Sequence, residues 1–314
     1  MRAPDGFPSS PRFRTEQPSG RRRGRGRVAG LLAAMMLLGY ALVGCSNGPV
    51  TPEADTPAQT PTAAPTDTES PSPESSRVGN ATPAPAWLGR RLLPVDSDGV
   101  AAAQQTPAEL RNRSIITVDE LPPPADGRFH STVQVVPARV LARSSWTEQC
   151  PVAQADLRYV TVGFRGFDGR AHTGELLVNA RAANDLVTVF QRLFAADFPI
   201  ERMHISTAAE LNAPPTGDGN NTEVFACRPV RGQDTWSQHA YGLAVDVDPF
   251  QNPYHKGKIV LPELATAYLD RADARSGMVQ PRSEVVRAFA AVGWEWGGDY
   301  RSLKDYMHFS ANGG

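Results

Sequence analysis

Apolar positions are spread very unevenly along this chain. One dense run, Val28–Val43, interrupts an N-terminal stretch that otherwise holds few large apolar side chains until residue 87. From His130 onward the pattern turns regular. Ser131–Val140 and Leu157–Phe164 are enriched in Val, Tyr and Thr and partly alternate, which predicts two strands. Phe167-Asp168-Gly169 marks a turn, and Thr173–Asn179 is the strand that returns from it. Leu186, Val189, Phe190 and Leu193 recur at i, i+3, i+4 and i+7, so Ala182–Ala196 is predicted as a helix with one apolar face. Ile205 falls in an expected strand, and residues 208–222 are rich in Gly, Pro and Asn and read as loop. Leu243–Val247 is a short buried strand, and Pro262–Asp270 and Ser283–Ala291 are expected helices, the second capped by Ser283. A last strand covers Met307–Ser310. Antiparallel strands with helices packed to one side give an α+β domain over residues 130–314.

The N-terminal pattern has a different meaning. Arg21, Arg22, Arg23, Arg25 and Arg27 precede the apolar run, which closes on Leu42-Val43-Gly44-Cys45. Basic, apolar and small residues in that order describe an export signal over residues 1–44 rather than a core helix. The run is also short for a membrane span. Leu-Val-Gly-Cys resembles the bacterial lipobox, which makes Cys45 the expected lipidation site and the mature N-terminus. Residues 45–86 are dominated by Pro, Thr, Ser, Ala and acids, and such a segment cannot bury enough surface to offset its ordering entropy. It is expected to be an extended tether. Residues 87–129 mix short apolar pieces with Pro122-Pro123-Pro124 and are expected to be a partly ordered approach to the domain.

Composition adds two constraints. A formal net charge of −1 gives no reason to expect a nucleic-acid partner. Export leaves Cys150 and Cys227 in an oxidising space, where they form a natural disulfide pair. A competing role as metal ligands lacks support, because neither lies in a C-x-x-C pair. A loop of that length would be worth ~4 kcal/mol on the chain-entropy account.

The chemistry concentrates in two short segments, Ser237-Gln-His239-Ala-Tyr-Gly242-Leu-Ala244-Val-Asp246 and Asp305-Tyr-Met-His308-Phe. His239 and Asp246 are seven residues apart, which suits a turn feeding a strand, with Gly242 allowing a tight backbone between them. Asp246 stands in an apolar strand, where an unpaired carboxylate is costly and a cation removes the cost. His239, Asp246 and His308 are therefore the candidate metal ligands, with Asp305 as a nearby acid. Three protein ligands with an open fourth position are the inventory of a hydrolytic Zn2+ site, whereas a structural site is closed by four. His130, His172, His204 and His255 have no partner at ligand spacing, and Glu175 suggests no role.

The motif S-x-H-x-x-G-x-A-x-D followed by D-x-x-H-F resembles the D-alanyl-D-alanine carboxypeptidase family of zinc peptidases. Asp248-Pro249, Asn252-Pro253-Tyr254, Gly293-Trp294-Glu-Trp296-Gly297-Gly298 and Asn221–Arg228 add to the likeness, which covers roughly residues 130–314. The resemblance implies a hedgehog/DD-peptidase-like fold, Zn2+ as cofactor and peptidoglycan stem peptides as partners. It implies that Asp305 is the general base and acid. It also implies that an arginine, Arg228 with Arg231 as competitor, holds the oxyanion or a substrate carboxylate. The carboxypeptidase branches usually carry Glu where Asp305 stands, and Asp resembles the endopeptidase branch that cuts L-alanyl-D-glutamate bonds. Trp236, Tyr241, Trp294, Trp296 and Tyr300 are candidates for the walls of a groove, although aromatics are more often core. The expectation is a D,D-carboxypeptidase or L,D-endopeptidase tethered by lipid to the outer face of the bacterial cytoplasmic membrane. The alternative is a wall-binding module that kept the fold and lost the reaction.

Overall fold

A computed structural model describes residues 80–97 and 100–313 of the protein. The export signal, Cys45 and nearly all of the tether expected over residues 45–86 lie outside the described residues. Strand β1 (Ser131–Val135) pairs antiparallel with β2 (Leu157–Arg165), which pairs in turn with β3 (Ala171–Asn179). In the β2–β3 hairpin Leu157 faces Asn179 and Arg165 faces Ala171. The first strand is shorter than its Val-rich run predicts. Pro137 has no N–H for a ladder and serves instead as the N-terminal boundary of helix α1 (Ala138–Arg143).

Helix α2 (Ala183–Ala195) lays Leu186, Val189, Phe190 and Leu193 on the β2–β3 face, against Val160, Val162, Leu176 and Val178. Each of these four helix residues is at most 1 % exposed, so each contributes roughly 1.5–3 kcal/mol of burial. A second sheet, in the order β4-β9-β7, joins Ala244–Asp246, His308–Ser310 and Glu295–Trp296. Phe309 stacks there on Phe289 from helix α4 (Glu284–Ala291), whose cap Ser283 accepts from the Val286 N–H. A third sheet, β6-β5-β8, joins Ile259–Leu261, Tyr254–Lys256 and Lys304–Asp305. One further helical turn, α3 (Ala208–Leu211), is closed by a capping box between Thr207 and Glu210. Among the described residues, three small antiparallel sheets with short helices make an α+β arrangement.

Besides the shortened first strand and the helical turn Ala208–Leu211, which opens a stretch read as loop, two more segments depart from their sequence pattern. Pro262–Asp270 forms only a 3-10 turn at Thr266–Leu269. Leu264 and Tyr268 are buried at helical spacing, but Ala265 and Tyr268 N–H bond locally, three residues back, while Leu264 N–H donates to the Gly217 carbonyl and Ala267 N–H to the Thr106 hydroxyl. Ile205 is buried without belonging to a strand.

Residues 80–97 and 100–129 pack onto the domain. Leu93, Ala101, Leu110 and Ile115 share a core with Phe250, Leu264, Tyr268 and Met278. Arg113 is buried and forks onto Glu201 with bonds of 2.7 and 2.6 Å. Asp119 and Glu120 bind His172 and Arg202.

Candidate metal centre

The β4–β9 register sets Asp246 directly opposite His308, so both side chains leave the sheet on one face. His239 arrives from a 3-10 turn, Gln238–Tyr241, that is capped by Ser237 and closed by Gly242 at φ +67°. The glycine is required twice over. Its backbone is left-handed, and a Cβ there would lie 2.7 Å from the Asn179 nitrogen.

The three side chains converge. His239 Nε2 lies 3.3 Å from Asp246 Oδ1, His308 Nδ1 lies 3.1 Å from the same oxygen, and the two imidazole nitrogens are 3.3 Å apart. Ligands of a tetrahedral zinc at ~2.0–2.1 Å are separated by about 3.3–3.4 Å from one another, by simple geometry. The observed edges fit that spacing. The chemistry of the donors fits as well: two nitrogens aimed at each other and at a carboxylate are three electron-pair donors sharing one point. His239 Nδ1 is 2.8 Å from the Val224 carbonyl, an N–H···O bond that leaves Nε2 free to ligate. Burial alone would push the Asp246 carboxyl up, but His239 and His308 pull it well below the usual carboxylate range. His239 is raised in return: burial opposes its charge, and the Asp246 carboxylate more than offsets this.

Asp305 reaches the same region from β8, paired with Tyr254 of β5. Gly297 makes room for it, because a Cβ on that glycine would lie 2.9 Å from the Asp305 Cβ. The Oδ1 atom of Asp305 is shielded from solvent and has no hydrogen-bond partner among the described residues. Burial first, and the Asp246 charge second, push Asp305 up to about 7, while His308 and Arg228 pull the other way. Asp305 is thus a half-buried acid with an unspent acceptor beside the candidate metal ligands.

Arg228 and Arg231 part company. The Arg228 charge acts on Asp305, His239 and Glu223, whereas that of Arg231 acts on Glu263. Next to Arg228, Cys227 is bonded to Cys150 with Cα atoms 5.8 Å apart. The aromatic candidates also divide. Trp294 and Trp296 are core, and Tyr241 packs against that core. Tyr300 and Tyr254 feel the Asp305 charge, and Trp236 is exposed. The remaining histidines go elsewhere: His172 sits between Asp119 and Asp168, His204 on Glu210, His130 on Asp126 and His255 on the Gly257 carbonyl. Glu175 holds Arg143 and the Tyr159 hydroxyl.

One neighbour of the centre was not singled out by sequence reasoning. Glu223 exchanges both backbone hydrogen bonds with Asp246, at 3.1 and 2.9 Å, and its own carboxyl takes a bond from the Ser206 hydroxyl. Burial pushes this carboxyl up. The signal available in the sequence was an acid placed in an otherwise apolar run, Glu223-Val-Phe-Ala.

Residues 231–311 match the family model described as D-alanyl-D-alanine carboxypeptidase. The match supports a peptidase. It spans His239, Asp246, Asp305 and His308, and Glu223, Arg228 and the disulfide lie outside it. No solved structure matches the chain.

Proposed function

We propose that the protein is a zinc-dependent peptidase that hydrolyses bonds of the peptidoglycan stem peptide, on a hedgehog/DD-peptidase-like fold. In this reading it is a lipoprotein held through Cys45 at the outer face of the bacterial cytoplasmic membrane. The observation that carries the reading is the convergence of His239, Asp246 and His308, with the shielded acceptor of Asp305 beside them.

His239 Nε2, His308 Nδ1 and an Asp246 oxygen would hold the cation. When bound, zinc supplies Lewis acidity, polarising a carbonyl and making a water acidic near neutral pH. The rest falls to the chain. Asp305 takes a proton from the attacking water as the C–O bond forms, then gives it to the nitrogen as the C–N bond breaks, so that the amine leaves neutral. Arg228 faces the negative charge that develops on the carbonyl oxygen, or in a carboxypeptidase the substrate's terminal carboxylate. The backbone brace from Val224 fixes the tautomer of His239 throughout. Aspartate in the role of Asp305 favours the L,D-endopeptidase over the D,D-carboxypeptidase.

The test is digestion of purified peptidoglycan by wild type and by His308→Ala, with new termini mapped by mass spectrometry and bound metal measured in parallel. New termini on either side of one bond, absent in the variant along with the metal, are expected. Unchanged muropeptides from a zinc-loaded wild type would instead make the protein a wall-binding module.

A further inference from the structure

We infer that Glu223 is a positioning residue of the metal centre: through its hydrogen bond with Ser206 it clamps the strip 223–226 that holds two of the three ligands. The inference rests on the metal reading given above.

The strip touches both ligands directly. Its first residue, Glu223, pairs with Asp246, which pairs on its other side with His308. Glu223, Asp246 and His308 thus form one cross-strand row whose side chains share the metal face. The next residue, Val224, gives its carbonyl to His239 Nδ1 at 2.8 Å, and Ala226 N–H donates to the His239 carbonyl at 3.3 Å. Any drift of this strip moves the Asp246 carboxylate and turns the His239 ring together.

What holds the strip is a short zip to the 202–206 loop. Thr222 N–H donates to the Arg202 carbonyl at 2.9 Å. The Asn221 amide brackets the backbone of His204, accepting from its N–H at 2.9 Å and donating to its carbonyl at 2.9 Å. The same amide reaches the Ser206 oxygen at 3.3 Å, and Ser206 donates onward to Glu223. Glu223 is the end of this zip and its only side chain on the row that includes the ligands Asp246 and His308. Partners outside the ligand sphere that orient a metal ligand are typically worth 10- to 100-fold in metal affinity.

The experiment is zinc affinity by chelator competition on the full-length protein, for wild type, Glu223→Ala, Glu223→Gln and Ser206→Ala. Glu223→Ala and Ser206→Ala are each expected to weaken binding about tenfold. Combining them should lose less than the sum of the two, because both remove the Ser206–Glu223 bond and Ser206→Ala takes away only the longer Asn221 contact in addition. Glu223→Gln still accepts from Ser206 and is expected to stay within about threefold of wild type, a rescue that a general loss of stability would not produce. Wild-type affinity in Glu223→Ala, or a Gln variant as weak as the Ala variant, overturns the clamp. A wild type that binds no zinc overturns the metal reading and the clamp with it. Should Glu223→Ala fail to fold, Ser206→Ala and Glu223→Gln still decide.

Discussion

Burial and the charge of Asp246 hold Asp305 at about 7, so its response to pH has a definite sign. The base form is the unprotonated one, and kcat/KM should fall as pH drops through the pKa of this group. A bound divalent cation nearby favours the charged form, which moves the acidic limb to pH 7 or below. Asp305→Ala should keep the metal and lose ~100-fold or more in hydrolysis, and Asp305→Asn should abolish the acidic limb. Metal content beside a pH profile of muropeptide release checks both. A variant that hydrolyses as well as wild type would remove Asp305 from the reaction. At this scale the sequence was informative about position, since His239, Asp246 and His308 lie in two motifs that the fold brings to one point. Glu223 left only a faint signal, an acid beside an apolar run, because its place is set by a backbone pairing with Asp246 across 23 residues that the local sequence does not report.

Among the elements, the turn that carries His239 is the most sharply constrained. Its exit residue Gly242 combines a φ of +67° with backbone contact from Asn179, so Gly242→Ala must open the turn or push the β3 end away. The expected cost is about 1–3 kcal/mol of stability, and zinc binding should weaken with it. Denaturant unfolding of the metal-free protein and chelator competition measure the two effects separately. Unchanged affinity in a folded variant would show that the turn tolerates a left-handed alanine. Helix α2 was legible because its apolar residues follow a helical period that burial then uses, and the β2–β3 hairpin because Val, Tyr and Thr enrichment flanks a Phe-Asp-Gly turn. The 3-10 turn at Thr266–Leu269 was not, because Leu264 and Tyr268 imitate a helix while the backbone finds partners at Thr106 and Gly217. Periodicity reports which side chains are buried; it does not report where the N–H groups go.

For the molecule as a whole, the segment 80–129 matters more than its irregular pattern suggests. Arg113 and Glu201 form a buried pair, with Asn220 also donating to Glu201 at 2.8 Å and the Asp218 carbonyl accepting from Arg113 at 2.8 Å. Removing the cation strands Glu201 beside the buried Asp248, whose carboxyl burial already holds well above the usual range. Arg113→Met should therefore cost about 3–5 kcal/mol, measurable as a lower urea midpoint at unchanged m-value. A midpoint shift worth less than about 1 kcal/mol would mean that water reaches Glu201 and that the segment is only loosely applied. The role of Arg113 could not be read from the sequence, where it stands among Arg111, Asn112 and Ser114 with no apolar period around it.

In the proposed lipid-anchored state, the same segment would be the first part of the domain to meet a mechanical load. A pull arriving through the chain before residue 80 reaches the 80–129 segment first. There it meets the Thr82–Ser114 and Ile116–Thr82 backbone bonds and the bond from Gly89 to Asp218. These would yield before Arg113 and the apolar residues around Leu110 are drawn out. The ligand row Glu223–Asp246–His308 belongs to other elements and lies beyond that sequence of failures. In that anchored state segment 80–129 would act as a strain relief, giving way at its outer bonds while the centre keeps its geometry.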